Sequence, residues 1–267
     1  MIPTKKRLGY GGSAVIDGNQ VLITGGSFES ETSVPYLNMI STPPSSTFAG
    51  RVKHADGTNA YRGSLSFEVV EKVMGLFAAT GSTGSLLERY RDFDVGIHDG
   101  ENQYKMEDCK LTTLTLSGAV GGLLSAQVGF LAKAGRAAAT VTNDFIRDDS
   151  PLLAFWHTGT DSTSDKVKDW SFTMTQDATL VYRNEDTMVP HYIKVGLVTY
   201  SLAINTYTQI TTPSKIKIKT TTFTLTGDTT ANGFSYGGLT DLGSYSYTFE
   251  TAALSPPKST TSVLTVA

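Results

Sequence analysis

Between Leu124 and Ala132, Leu124, Ala126, Val128, Phe130 and Ala132 share one parity, and Ser125, Gln127 and Gly129 share the other. A two-residue period places the two sets on opposite faces of a β-strand and cannot serve an amphipathic helix, whose apolar positions recur every three or four residues. The pattern returns in Trp170, Phe172 and Met174 against Ser171, Thr173 and Thr175, then in Val198, Tyr200, Leu202 and Ile204, and again in Tyr245, Tyr247 and Phe249. Each such run suits a strand with one face in a core and the other in water. Threonine is about one residue in seven, in keeping with β-branched side chains on a pleated surface. Roughly ten to thirteen strands follow from these runs, the composition of an antiparallel β-sandwich or barrel.

Turns and breaks divide the chain. Residues 1–8 read as an N-terminal arm. "AVIDGNQVLIT" (14–24) and "RYRDFDVGIHDGENQYKMEDCKL" (89–111) each carry an Asp-Gly hairpin signal. Residues 26–50, rich in Ser, Thr and Pro, read as a long loop. Its apolar residues Phe28, Tyr36, Leu37, Met39 and Phe48 make it a candidate docking element. One helix is expected at about 66–80, where Val69, Val70, Val73, Met74 and Phe77 recur at helical spacing, Ser66 can cap and Thr80–Gly81 can stop it. Residues 136–150 form a connector between a first β half (9–135) and a second (151–253), which could be another domain of the same type. Parity changes between Ile216/Ile218 and Phe223/Leu225, which places a bulge or bend near Thr220–Thr222. A proline-started tail closes the chain at 254–267.

Several function classes are poorly served by these residues. The net charge is −3 and no basic run exceeds Lys5–Lys6–Arg7, so binding nucleic acid through phosphates is not expected. One cysteine, Cys109, leaves no internal disulfide and reads as a small core residue. No run approaches the roughly 18 apolar residues of a membrane helix, and the start lacks the apolar stretch of a signal peptide, so synthesis and folding in a cytoplasm are expected. Asp92, Asp94, His98, Asp99 and Glu101 crowd together and could suggest a metal or acid–base site, but an exposed hairpin face explains them more simply. His157 and Asp161 lack a nucleophile in a recognisable elbow, and the clusters "GYGG", "TGSTGS" and "SGAVGG" lack the Gly-Lys-Ser/Thr of a phosphate loop. No catalytic residue, metal ligand or cofactor is expected, and the chain is not read as an enzyme.

"YKMEDCKLTTLTLSGAVGGLLSAQVGFLAKAG" (104–135) resembles the major tail tube proteins of tailed bacteriophages, with a strand ending in a Leu-x-Leu-Ser-Gly type turn followed by a strand of alternating small and apolar residues. "WSFTMTQDATLVY" and "VPHYIKVGLVTYSLAIN" (170–205) are similar to the later half of such proteins. The resemblance implies a tail-tube-type sandwich with one packed helix, whose strands complete a β-barrel between subunits. It implies stacked rings, hexamers or pseudo-hexameric trimers, that form a hollow tube in the virion, assembled in the host cytoplasm. DNA would pass through the lumen during ejection without specific binding, and tape measure, terminator and baseplate proteins would be the other partners. The loop carrying Phe28, Tyr36, Leu37, Met39 and Phe48 would form contacts between subunits or rings. The alternatives are a distal tail, baseplate or tail-completion ring protein, or a carbohydrate-binding or adhesin-type β module that would need exposed aromatics such as Trp156 and Trp170.

Overall fold

The computed structural model describes residues 6–8, 13–33, 36–38, 51–53, 58–77, 86–87, 91–99, 102–137, 167–182, 189–207, 215–218, 221–225, 229–235, 244–253 and 264–266. The protein is mainly β and antiparallel. Its first strands are β1 (Lys6–Leu8), β2 (Ser13–Ile16), β3 (Asn19–Ser33), β4 (Tyr36–Asn38), β5 (Arg51–Lys53), β6 (Thr58–Glu68), β7 (Phe93–His98) and β8 (Gln103–Ala119). They are followed by β9 (Ser125–Ala137), β10 (Val167–Val181), β11 (Tyr192–Thr206), β12 (Lys215–Ile218), β13 (Thr221–Leu225), β14 (Thr229–Ser235), β15 (Ser244–Ala253) and β16 (Leu264–Val266).

Eleven strands form one sheet in the order β14-β15-β11-β10-β8-β7-β2-β3-β6-β9, with β1 beside β3. β8 is the pivot. Its first half pairs with β7 and its second half with β10, while β9 runs along its other edge. The sheet therefore curls, yet as a whole it is not closed into a barrel. Strands from both halves of the sequence share it, and one apolar cluster runs from Ala14 to Tyr247. Within that cluster Phe28 lies 4.9 Å from Tyr104 between ring centroids, Phe93 meets Phe130 edge-on at 6.3 Å, and Phe172 stacks on Tyr200 at 6.3 Å.

The alternating runs form strands with the expected faces. Leu124, Ala126, Val128, Phe130 and Ala132 are buried, as are Trp170, Phe172 and Met174 and also Val198, Tyr200, Leu202 and Ile204. The Asp-Gly turn between β2 and β3 has φ of 48° at Asp17 and 79° at Gly18, the left-handed pair that a two-residue hairpin demands.

Other expectations need correction. The helix expected at 66–80 is a strand up to Glu68, followed by a 3-10 helix at Glu71–Leu76. Ser66 is no cap; it sits in the ladder opposite Gly25 and Gln127. Leu65, Phe67 and Val69 continue a period-two buried face, and Val69 N–H donates to Leu124 O at 2.8 Å, so sheet pairing overrides the helical spacing. Gly75 further weakens an α-helix there. The supposed loop at 26–50 begins as strand, with β3 paired to β6 as far as Ser33↔Thr58, and Tyr36–Asn38 pairs with Arg51–Lys53 beyond it. The N-terminal arm ends in β1, paired with Gly26–Phe28 of β3. The parity change near Thr220–Thr222 is a chain reversal, since Ile218 pairs with Thr221 across the β12–β13 hairpin. Most of the connector at 136–150 lies outside the described residues.

Candidate functional surface

The core-forming parity of the central strands leaves the other parity on an outer face, and strand register arranges that face in rows. Ser64, Gly129, Thr113, Thr175 and Thr199 lie side by side across β6, β9, β8, β10 and β11. The next row is Ser66, Gln127, Thr115, Thr173 and Ser201. A third runs Glu68, Ser125, Ser117, Ser171 and Ala203. The hydroxyls engage each other: Ser117 and Ser125 at 2.9 Å, Ser27 and Ser64 at 3.1 Å, Thr115 and Thr173 at 3.5 Å. The result is a broad panel of small polar side chains, neutral across β9, β8, β10 and β11 and with the carboxyl of Glu68 at its β6 margin. Such a panel stays hydrated and offers a passing polyanion neither a fixed cation nor a deep cleft.

Two shallow depressions mark this face. One, about 440 Å³, is lined by Ser64, Gly129, Thr112, Glu29 and Arg62 among others. Arg62 is held by Glu29 through Nε and by Glu31 at 2.7 Å, so its charge is already matched. The other, about 430 Å³, lies between Leu123 and the Asp169–Asn205 pair, where Asn205 Nδ2 donates to Asp169 Oδ1 at 2.5 Å.

The residues expected at interfaces fall in different places. Phe28 is a correction: β3 turns it inward, it is fully buried against Tyr104, and it is a core residue. Tyr36 and Leu37 lie in β4, paired with Lys53 and Val52. Met39 and Phe48 lie outside the described residues. Trp170 is 2% exposed in the core, so it offers no platform to a sugar; Trp156, His157 and Asp161 lie outside the described residues.

The acidic hairpin is knitted into ion pairs. Lys110 Nζ reaches Asp92 at 2.9 Å, Lys105 Nζ reaches Asp94 at 2.8 Å and Glu107 at 3.1 Å, and Arg91 pairs with Asp17. Hydrogen bonds from Lys105 to Asp94 and Glu107 push its ammonium pKa above the ordinary value. Asp99 Oδ1 accepts from Asn102 N–H at 2.8 Å and shapes the turn, while His98 is buried. Among the described residues no group of three or more His, Cys, Asp and Glu is placed to hold a metal ion. Cys109 is buried in the core, and burial drives its thiol pKa well up, away from the thiolate that nucleophilic chemistry requires.

Sequence alternation implied a polar strand face, but its rows depend on register, which no single strand discloses. No protein-family model matches this chain, and no curated protein matches it.

Proposed function

We propose that the protein is a structural subunit that polymerises as stacked rings into the hollow tail tube of a bacteriophage. The observation that carries this reading is the β9–β8–β10–β11 panel, with one face sealed into the core and the other tiled by small neutral hydroxyls. A conduit for DNA needs a wide wall that stays wet and does not grip phosphates. The two stretches that resemble tail tube proteins supply this panel: 104–135 spans most of the β8–β9 hairpin, and 170–205 contributes most of β10 and β11. Among the described pairings β14 has a neighbour on one side only, and a strand edge of this kind is available to a second copy. Completion of a barrel between copies would use such an edge.

The test is negative-stain electron microscopy of the purified chain over a concentration series, with light-scattering mass on the same samples. Hollow stacked rings are expected, and the mass of the smallest ring distinguishes six chains from three. Single rings that never stack would point to a distal tail, baseplate or tail-completion component. A protein that remains monomeric at every concentration, even with preformed tail-tip complexes as initiators, would overturn the reading.

A further inference from the structure

The sheet forks along one line. β7 occupies one edge of β8 from Gln103 to Cys109, and β10 occupies the same edge from Thr113 to Ala119, so β10 has to leave β8 beyond Thr175. Irregularities gather at that level: the ladder shift between Leu111 and Thr113 in β8, and the shift between Gln176 and Ala178 in β10. At the second shift Gly196 has no room for a side chain, since a Cβ there would lie 2.8 Å from Asp177 Cβ. Gln176 spans the fork. Its Nε2 donates to Leu111 O at 2.9 Å, while its Oε1 is buried with no partner among the described residues. Beyond the line the described pairing of β10 is with β11 alone, and β15 meets β11 only from Val198 to Thr206. The ribbon formed by 178–181 and 192–195 is thinly covered: Leu180, Val181 and Val195 are half-buried, whereas Phe172, Met174, Val198 and Tyr200 on the other side of the line are buried. A two-stranded ribbon is marginal in water by itself. This one is fastened at its far end, where Tyr182 Oη donates to Asn59 O at 2.9 Å and Ile193 is buried.

We propose that the ribbon is a strap, hinged at the Gln176–Asp177 and Gly196 bulge and fastened by Tyr182, that opens as one unit while the sheet behind it stays folded. The hinge end contributes little to closure. Gln176 gains one hydrogen bond but leaves a buried carbonyl unpaired, and the cost of that carbonyl offsets much of the bond. The bulge also interrupts the ladder there, so opening stops at the line and does not run on into the central strands. Closure therefore depends on the far end, on the Tyr182 bond and the burial of Ile193. Segments that move are drawn from the thinly covered parts of a fold, and this ribbon is one. Opening detaches the second half of the chain from the end of the β3–β6 ladder, where Ser33 pairs with Thr58, and uncovers Asn59 O. The strap follows from the fork alone and holds whether or not copies assemble into rings.

The test is native-state hydrogen exchange on the full chain, followed residue by residue by NMR. Amides of 178–181 and 192–195 should share one opening equilibrium and exchange faster than those of 170–174 and 198–204. Tyr182→Phe should raise exchange across the whole ribbon by about 2- to 10-fold, the loss of one hydrogen bond, and leave 170–174 unchanged. Gly196→Ala, which crowds Asp177 at the hinge, should raise exchange at the same amides. Exchange that falls off gradually from Val181 inward would be fraying and would overturn the single unit. Ribbon amides that exchange only together with the central strands would overturn the opening itself. A Tyr182→Phe variant with unchanged exchange would overturn the fastening, and an unchanged Gly196→Ala variant would overturn the hinge.

Discussion

Gly63 faces Phe130 across the β6–β9 ladder, and a Cβ at residue 63 would lie 2.5 Å from Phe130 Cζ and 3.0 Å from Ser27 O. Phe130 has little room to retreat, because it is 1% exposed and the ring of Phe93 stands edge-on to it at 6.3 Å. Overpacking of this kind costs about 1–3 kcal/mol, while replacing glycine gains about 0.4–1 kcal/mol by restricting the unfolded chain. Gly63→Ala should therefore destabilise by about 0.5–2 kcal/mol. With a urea slope of about 3 kcal/mol/M, a loss of 1.5 kcal/mol moves the midpoint down by about 0.5 M. The cause is isolated by repeating the substitution in a Phe130→Leu background, which removes Cζ and leaves only the tight approach to Ser27 O. There Gly63→Ala should be close to neutral, giving a coupling of about 1–2 kcal/mol in the double-mutant cycle. An equal loss in both backgrounds would refute the packing argument and place the effect in the strand backbone.

Three further outcomes are expected. Asp108 holds φ of 52° in β8, so Asp108→Val should cost about 1–2 kcal/mol, whereas Asp108→Gly, which loses only an exposed contact with Lys133, should fall within about 0.5 kcal/mol of the parent; equal tolerance of both by urea denaturation would contradict this. Glu68 is pushed above its ordinary value of 4.5 by burial, so its folded form holds the proton more tightly than the unfolded chain, and its penalty appears as pH rises through that range. Glu68→Gln should therefore stabilise the protein at pH 7 and make no difference near pH 3, as read from thermal midpoints at the two pH values. Tyr182→Phe removes the bond to Asn59 O and should cost about 0.5–1.5 kcal/mol, with amide exchange rising in the first residues of β6; unchanged exchange there would show that the bond does not hold the two strands together.

The runs Leu124–Ala132, Trp170–Thr175 and Val198–Ile204 determined strand identity and alternation by themselves, because a pleat permits only one alternation, whereas the packed structure decides which parity faces the core. The Asp17–Gly18 turn was equally legible, since few residues adopt positive φ at low cost. Local pattern failed where long-range pairing overruled it. In β8 the buried set passes from Tyr104 and Met106 to Cys109 and Leu111, then to Leu114 and Leu116. Asp108 in the left-handed region makes the first change, and the ladder shift between Leu111 and Thr113 makes the second. Read along the sequence alone, that run obeys no single period. Phe28 looked like part of a docking loop because its polar neighbours Ser27, Glu29 and Ser30 resemble a loop. Opposite Gly63 and beside Tyr104, Ser27 and Glu29 are the outer face of a strand and Phe28 belongs to its inner one. The same distinction governs the candidate surface. Composition supplied the threonines and serines, but only the register of five strands sets them in rows, since each row joins residues far apart in the chain.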